Sequence, residues 1–190
     1  MSGVFKTIDH VSTLTTRVTS LTHSDVLVGV PAEKAGRPGQ PINNAALAYI
    51  HEFGSPQHNI PARPFLFPGV RACRAEALAM LRKGASDVLL NGANPDVILN
   101  RVGLLARNAV VNAITDPEPP FVPLRPATIR ARLRKTQAGR RKLRGIKRKA
   151  IAGGQPMGDA LTEWAEGGNI KPLIDTGALR ASITYVVRKA

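Results

Sequence analysis

A single cysteine, Cys73, occurs in 190 residues. That excludes an internal disulfide and any zinc site built from several thiolates, and it fits a reducing compartment. Cys73 itself reads as a small apolar filler on a helix. Aromatic side chains are also scarce, eight in all, so a core must be packed mainly from Ala, Val, Leu and Ile. A chain of this length can bury about 70% of the surface exposed by its unfolded form, and a single domain over 1–190 is expected. No uninterrupted apolar run approaches the roughly 20 residues of a membrane span. The start, MSGVFKTIDH, lacks the basic-then-apolar order of a signal peptide. The expectation is therefore a protein made in the cytoplasm, with no membrane partner.

Acidic residues are missing altogether from 119–158. That segment holds twelve cations: Arg125, Arg130, Arg132, Arg134, Lys135, Arg140, Arg141, Lys142, Arg144, Lys147, Arg148 and Lys149. The rest of the chain carries fifteen basic and thirteen acidic groups, so the net charge of +14 belongs almost wholly to one segment. Gly139, Gly145, Gly153 and Gly154 interrupt it and like charges repel, so 119–158 is expected to be a basic, partly flexible insertion or arm, weakly helical at best. Its candidate contacts to DNA or to an acidic partner are Arg134, Lys135, Arg140, Arg141, Lys142, Arg144, Lys147, Arg148 and Lys149.

The remaining pattern predicts an α+β fold: a small antiparallel sheet packed against two or three helices, with long extended arms and a basic loop. Residues 7–21 alternate weakly between β-branched and polar types, and DVLVGV at 25–30 reads as a short buried strand. A helical pattern runs from Ile42 and stops at Gly54 and Pro56. Pro61, Pro64 and Pro68 predict an extended stretch over 60–69. Apolar spacing gives a helix over 69–83. A second helix opens at NPD, with Asn94 as cap and Pro95 in the first position. In this helix Ile98, Val102, Leu105 and Ala109 form one stripe and Val97, Leu104 and Val111 another, so both faces are expected to be covered. The last segment, KPLIDTGALRASITYVVRKA, combines a turn capped by Asp175 or Thr176 with a final strand in which Ile183, Tyr185 and Val187 share a face.

Catalytic chemistry finds little support. In YIHEFGSP the His-Glu pair suggests a zinc peptidase, but Ser55 stands four residues after His51 where the second ligand belongs, and Pro56 ends the helix. Glu52 has no paired carboxylate, FGSP is not a nucleophile elbow, and no phosphate-binding glycine loop occurs. Tyr49, Ile50, Phe53, Phe65 and Phe67 instead predict aromatic packing in one core or interface, with Phe65 and Phe67 buried. No catalytic residue, metal or cofactor is assigned.

Three blocks carry a resemblance. NNAALAYIHEFGSPQHNIPARPFLFPGV at 43–70, PPFVPLRPATIRARL at 119–133 and KPLIDTGALRASITYVV at 171–187 resemble, in that order, the signature of tailed-phage neck and tail-completion proteins, the virion morphogenesis group. The blocks cover about a third of the chain. The long basic stretch between the second and third departs from that pattern. The resemblance implies a non-enzymatic virion protein at the neck or tail that completes the tail and joins it to the head within a ring around the DNA channel. The implied partners are further copies of the chain, forming a hexamer by tail symmetry, with tail terminator or tail tube proteins on one side and head-closure or connector proteins on the other. DNA in the channel is a further candidate. The interface or packing residues are then Tyr49, Glu52, Phe53, Gly54, Pro64, Phe65, Phe67, Asp175, Thr176, Gly177 and Leu179.

A small basic nucleic-acid-binding protein is the alternative from another class. Against it, no aromatic residue lies between Val122 and Glu163, so the basic segment has no platform for stacking unpaired bases.

Overall fold

The computed structural model describes residues 11–189. Among them are eight α-helices and one two-stranded antiparallel sheet, the α+β class expected. Strand β1 (Ser24–Gly29) and strand β2 (Thr184–Lys189) pair from Ser24↔Lys189 to Gly29↔Thr184.

Helix α1 (Val11–Thr22) corrects the reading of weak alternation over 11–21, residues 7–10 of that stretch lying outside the described residues. The hydroxyls of Thr15, Thr16 and Thr22 donate to carbonyls four residues back at 2.9, 2.9 and 3.0 Å, so these polar β-branched side chains are satisfied within a helix. Helix α2 (Asn44–Phe53) begins at Asn43, whose Oδ1 accepts the Ala46 N–H at 2.8 Å. It ends at Gly54, where φ is 76° and an added Cβ would lie 2.8 Å from the Ala62 nitrogen. Only glycine meets both demands.

Helix α3 (Leu66–Asn91) starts earlier and ends later than the spacing predicts. Pro68 falls in its first turn, where a missing N–H costs no helix bond, so the extended stretch stops at Phe65. Helix α4 (Pro95–Thr115) begins as read, with Asn94 Oδ1 accepting the Asp96 N–H at 2.9 Å. By length and hydropathy α4 could cross a membrane, which the count of uninterrupted apolar residues missed. Here it buries Ile98, Leu99, Val102, Ala106, Val110 and Ile114 and packs along α3 and both strands. Val97 and Leu104, on its second stripe, are exposed.

Glycines set the approach of these elements. A Cβ on Gly69 would fall 2.6 Å from Val110 Cα, and one on Gly103 would fall 2.2 Å from the Tyr185 ring. The α3–α4 contact and the seat of β2 therefore depend on missing side chains.

The basic segment is not a loop. Helices α5 (Pro126–Arg134), α6 (Gln137–Ala152) and α7 (Met157–Trp164) close around their own core of Leu124, Ile129, Leu133, Ile146, Ala150, Ala160, Leu161 and Ala165. Burial of Ile146 and Ala150, with Leu143 packed beside them, outweighs the weak helix propensity of the glycines. A second core gathers Phe65, Val110, Ile114, Leu173, Leu179 and Ile183. Helix α8 (Ala178–Ser182) contributes Leu179 to it.

Candidate functional site

The three sequence blocks meet at one junction, held by three buried or half-buried charged side chains. The first is Glu52, near the end of α2. Helix α3 has no capping side chain of its own, because Phe65 occupies the cap position. Glu52 supplies the cap from another helix: Oε2 accepts the Phe65 and Leu66 N–H groups, each at 2.8 Å, and Oε1 accepts the Phe67 N–H at 3.0 Å. These are orphan donors at the positive end of the helix dipole, where a carboxylate is the matching partner.

Arg63 makes the second link. It is buried, and it donates from Nε to the Val122 carbonyl at 2.9 Å and from Nη2 to the Pro123 carbonyl at 3.1 Å. This joins the first block to the second. Arg132 joins the second to the third: Nη1 donates to the carbonyls of Lys171 and Ile174 at 3.0 and 3.1 Å, and Nη2 to that of Pro172 at 2.7 Å. Burial lowers the pKa of both guanidinium groups from the ordinary value. The neighbouring Asp175 opposes this at Arg132. A planar fork with several fixed donors suits a run of proline-punctuated carbonyls better than an ammonium does.

His51 completes the junction in an unexpected form. Its pKa is lowered from 6.5 to about 4, first by burial and then by the charges of Arg63, Arg132 and Arg37, and its Nδ1 has no hydrogen-bond partner. Among the described residues no group of three His, Cys, Asp or Glu side chains could hold a metal ion. The His-Glu pair is thus a half-buried neutral imidazole beside a helix cap. The unfolded chain takes up the imidazole proton near pH 6.5 and the folded chain only near pH 4. Stability is therefore lost as pH falls through that window and is unaffected above it. The His51→Gln variant should show a smaller loss over this range in urea unfolding. Parallel curves for the two proteins would contradict the assignment.

In the third block the cap position of α8 is Gly177, with φ of 78° and no side-chain cap, so neither Asp175 nor Thr176 caps the helix as expected; Thr176 Oγ1 accepts the Ala178 N–H at 3.3 Å across the turn. Asp175 instead accepts from Lys135 and lies 4.0 Å from Arg132 Nε. Lys171 donates to the Thr115 carbonyl at the end of α4, where a cation opposes the negative end of the dipole.

The aromatic residues divide. Phe65 is 1% exposed, as expected, but Phe67 is 60% exposed, and so are Tyr49 (65%) and Phe53 (55%). The expectation that Phe67 is buried fails because the first turn of α3 points position 67 away from α4. The three rings form a ridge, with centroids 4.8 Å apart for Tyr49–Phe53 and 6.2 Å for Phe53–Phe67, the second pair edge-on at 71°. Exposed Val70 follows Phe67 at helical spacing, and exposed Arg74 then separates it from Leu78 on the same face of α3. Pro64 is exposed. Among the basic candidates, Lys135 is engaged by Asp175, Arg134 is exposed, and the seven cations of α6 all face solvent.

Comparison with known protein families, curated proteins and solved structures finds no match to this chain.

Proposed function

We propose that the protein is a structural component of the tailed-phage neck, one subunit of a ring that completes the tail and joins it to the head around the DNA channel. The observation that carries this reading is the aromatic ridge. Three exposed rings stand on α2 and α3, and the Glu52 cap ties the end of α2 to the start of α3. A monomer has no use for a rigid, contiguous apolar ridge of this kind, whereas a ring subunit buries one against its neighbour through a heterologous contact. The resemblance of the three blocks to neck and tail-completion proteins supports the same assignment. So does the lock between the blocks, since Glu52, Arg63 and Arg132 do structural work and none is free for catalysis. The partners in this reading are further copies of the chain, a tail terminator or tail tube protein, and a head-closure or connector protein.

The test is a double variant, Phe53→Ser with Phe67→Ser, encoded in the phage. Both side chains are exposed, so the melting temperature should change by only a few degrees. Purified particles should lack the protein, and heads and tails should accumulate unjoined. Normal incorporation and normal joining would remove the ridge from the assembly surface.

A further inference from the structure

We infer that the outer face of helix α6 docks on the phosphate backbone of a nucleic-acid duplex. Seven cations, Arg140, Arg141, Lys142, Arg144, Lys147, Arg148 and Lys149, lie on this helix and all are exposed. Among the described residues none of them forms an ion pair, and the single hydrogen bond from the set is Arg140 Nη1 to the Arg134 carbonyl at 3.0 Å. Of the segment's five other cations, Arg132 is used on carbonyls and Lys135 on Asp175, while Arg125, Arg130 and Arg134 make no side-chain bond among the described residues. Seven of the segment's ten free cations thus lie on α6.

The arrangement on the helix selects the partner. At about 100° per residue, Arg141 and Arg148 form a central row with Arg144 beside it. Lys142 and Lys149 flank that row on one side and Arg140 and Lys147 on the other. The opposite side carries Gly139, Ile146 and Ala150, which are buried against α5 and α7. Three parallel rows on a helix about 24 Å long match a groove with two charged walls, the central row over the groove and each flank against one strand. A major groove about 12 Å wide admits such a helix. An acidic protein surface offers scattered carboxylates, not two continuous lines of charge. A membrane surface calls for an apolar face on the helix to insert, and here Ile151 is the one exposed large apolar side chain. With no aromatic residue between Val122 and Glu163, unpaired bases have nothing to stack on, so the duplex is favoured over a single strand.

The face is also rigid. Thr136 Oγ1 accepts the Gly139 N–H at 3.0 Å, and a Cβ on Gly139 would lie 2.2 Å from the Leu133 carbonyl oxygen, so α6 is fixed to the end of α5. Binding therefore proceeds without an ordering cost for the helix. The recognition is of backbone charge, with no sequence preference.

The inference stands on α6 and is separate from the ridge. The full-length protein is titrated against a labelled random-sequence DNA duplex between 50 and 200 mM salt, followed by fluorescence polarisation. With about six phosphates neutralised, the affinity should fall by roughly 10³ over that range. A variant carrying Arg141→Gln, Arg144→Gln, Lys147→Gln and Arg148→Gln should lose most of the binding and reduce the salt slope by about 3 to 4. Its circular dichroism should match the wild type, because all four positions are exposed. A control with Arg71→Gln, Arg74→Gln and Arg82→Gln on α3 should bind as the wild type does. The Phe53→Ser, Phe67→Ser double variant should also keep its DNA binding, which separates failure here from failure of the assembly reading. No binding at 50 mM salt, unchanged binding by the α6 variant, tighter binding to single-stranded DNA, or equal binding to polyglutamate would each overturn the proposal.

Discussion

Replacing Glu52 with Ala is expected to destabilise the protein by about 3–5 kcal/mol. Three backbone donors at the start of α3 lose their only carboxylate, and Phe65 N–H, the deepest of them, has no route to solvent because its own side chain is 1% exposed. Each buried donor left unpaired costs about 1–3 kcal/mol. Water reaches the Phe67 N–H most easily, so the three losses do not simply add. At roughly 2–4 °C per kcal/mol for a chain of this size, the melting temperature should fall by about 6–20 °C. Glu52→Gln should be intermediate, since it keeps one accepting oxygen but turns an amide NH2 toward donors. Urea unfolding of the three proteins measures the series. A loss below about 1 kcal/mol for the alanine variant would mean that α3 is capped in another way.

Truncating Phe65 to Ala should cost a similar amount, about 3–5 kcal/mol. Its ring belongs to the core that also holds Val110, Ile114, Leu173, Leu179 and Ile183, with Val28, Val30 and Leu47 packed against that core. Its removal opens a cavity where α2, α3, α4 and β1 converge. Phe67→Ala, two residues on, should stay within about 1 kcal/mol because that ring is 60% exposed. The contrast is sharper than either value alone. Equal losses at both positions would show that the ridge belongs to the core of the free protein and is not held out for a partner.

Local signals located some of this structure well. Asn94-Pro95-Asp96 gives the start of α4 because each residue suits its position for an independent reason: a cap, a fixed φ and a charge against the dipole. Gly54 and Gly177 mark left-handed turns for the same kind of local reason. The basic helices were missed because glycine content and like charge argue against helix locally. The counter-signal was Leu143, Ile146 and Ala150 at three- and four-residue spacing. Gly139 is not a breaker there, since the approach of the Leu133 carbonyl leaves no room for a side chain.

The junction was the least legible part. Glu52 reaches thirteen to fifteen residues along the chain, Arg63 about sixty and Arg132 about forty, and no periodicity encodes such distances. One clue existed for Glu52: the residues before Leu66 include no Ser, Thr, Asp or Asn able to cap α3, so a cap from elsewhere was required. For the arginines the clue was the proline-rich stretches around Val122 and Pro172, whose carbonyls lack partners within their own segments.

Counting copies of the chain on purified phage particles tests the central claim most directly. Quantitative mass measurement of isolated necks or tails, with imaging of the same particles, should find a closed ring of about six copies at the head–tail joint. A single copy per particle, or particles that join heads to tails and lack the protein, would contradict the account.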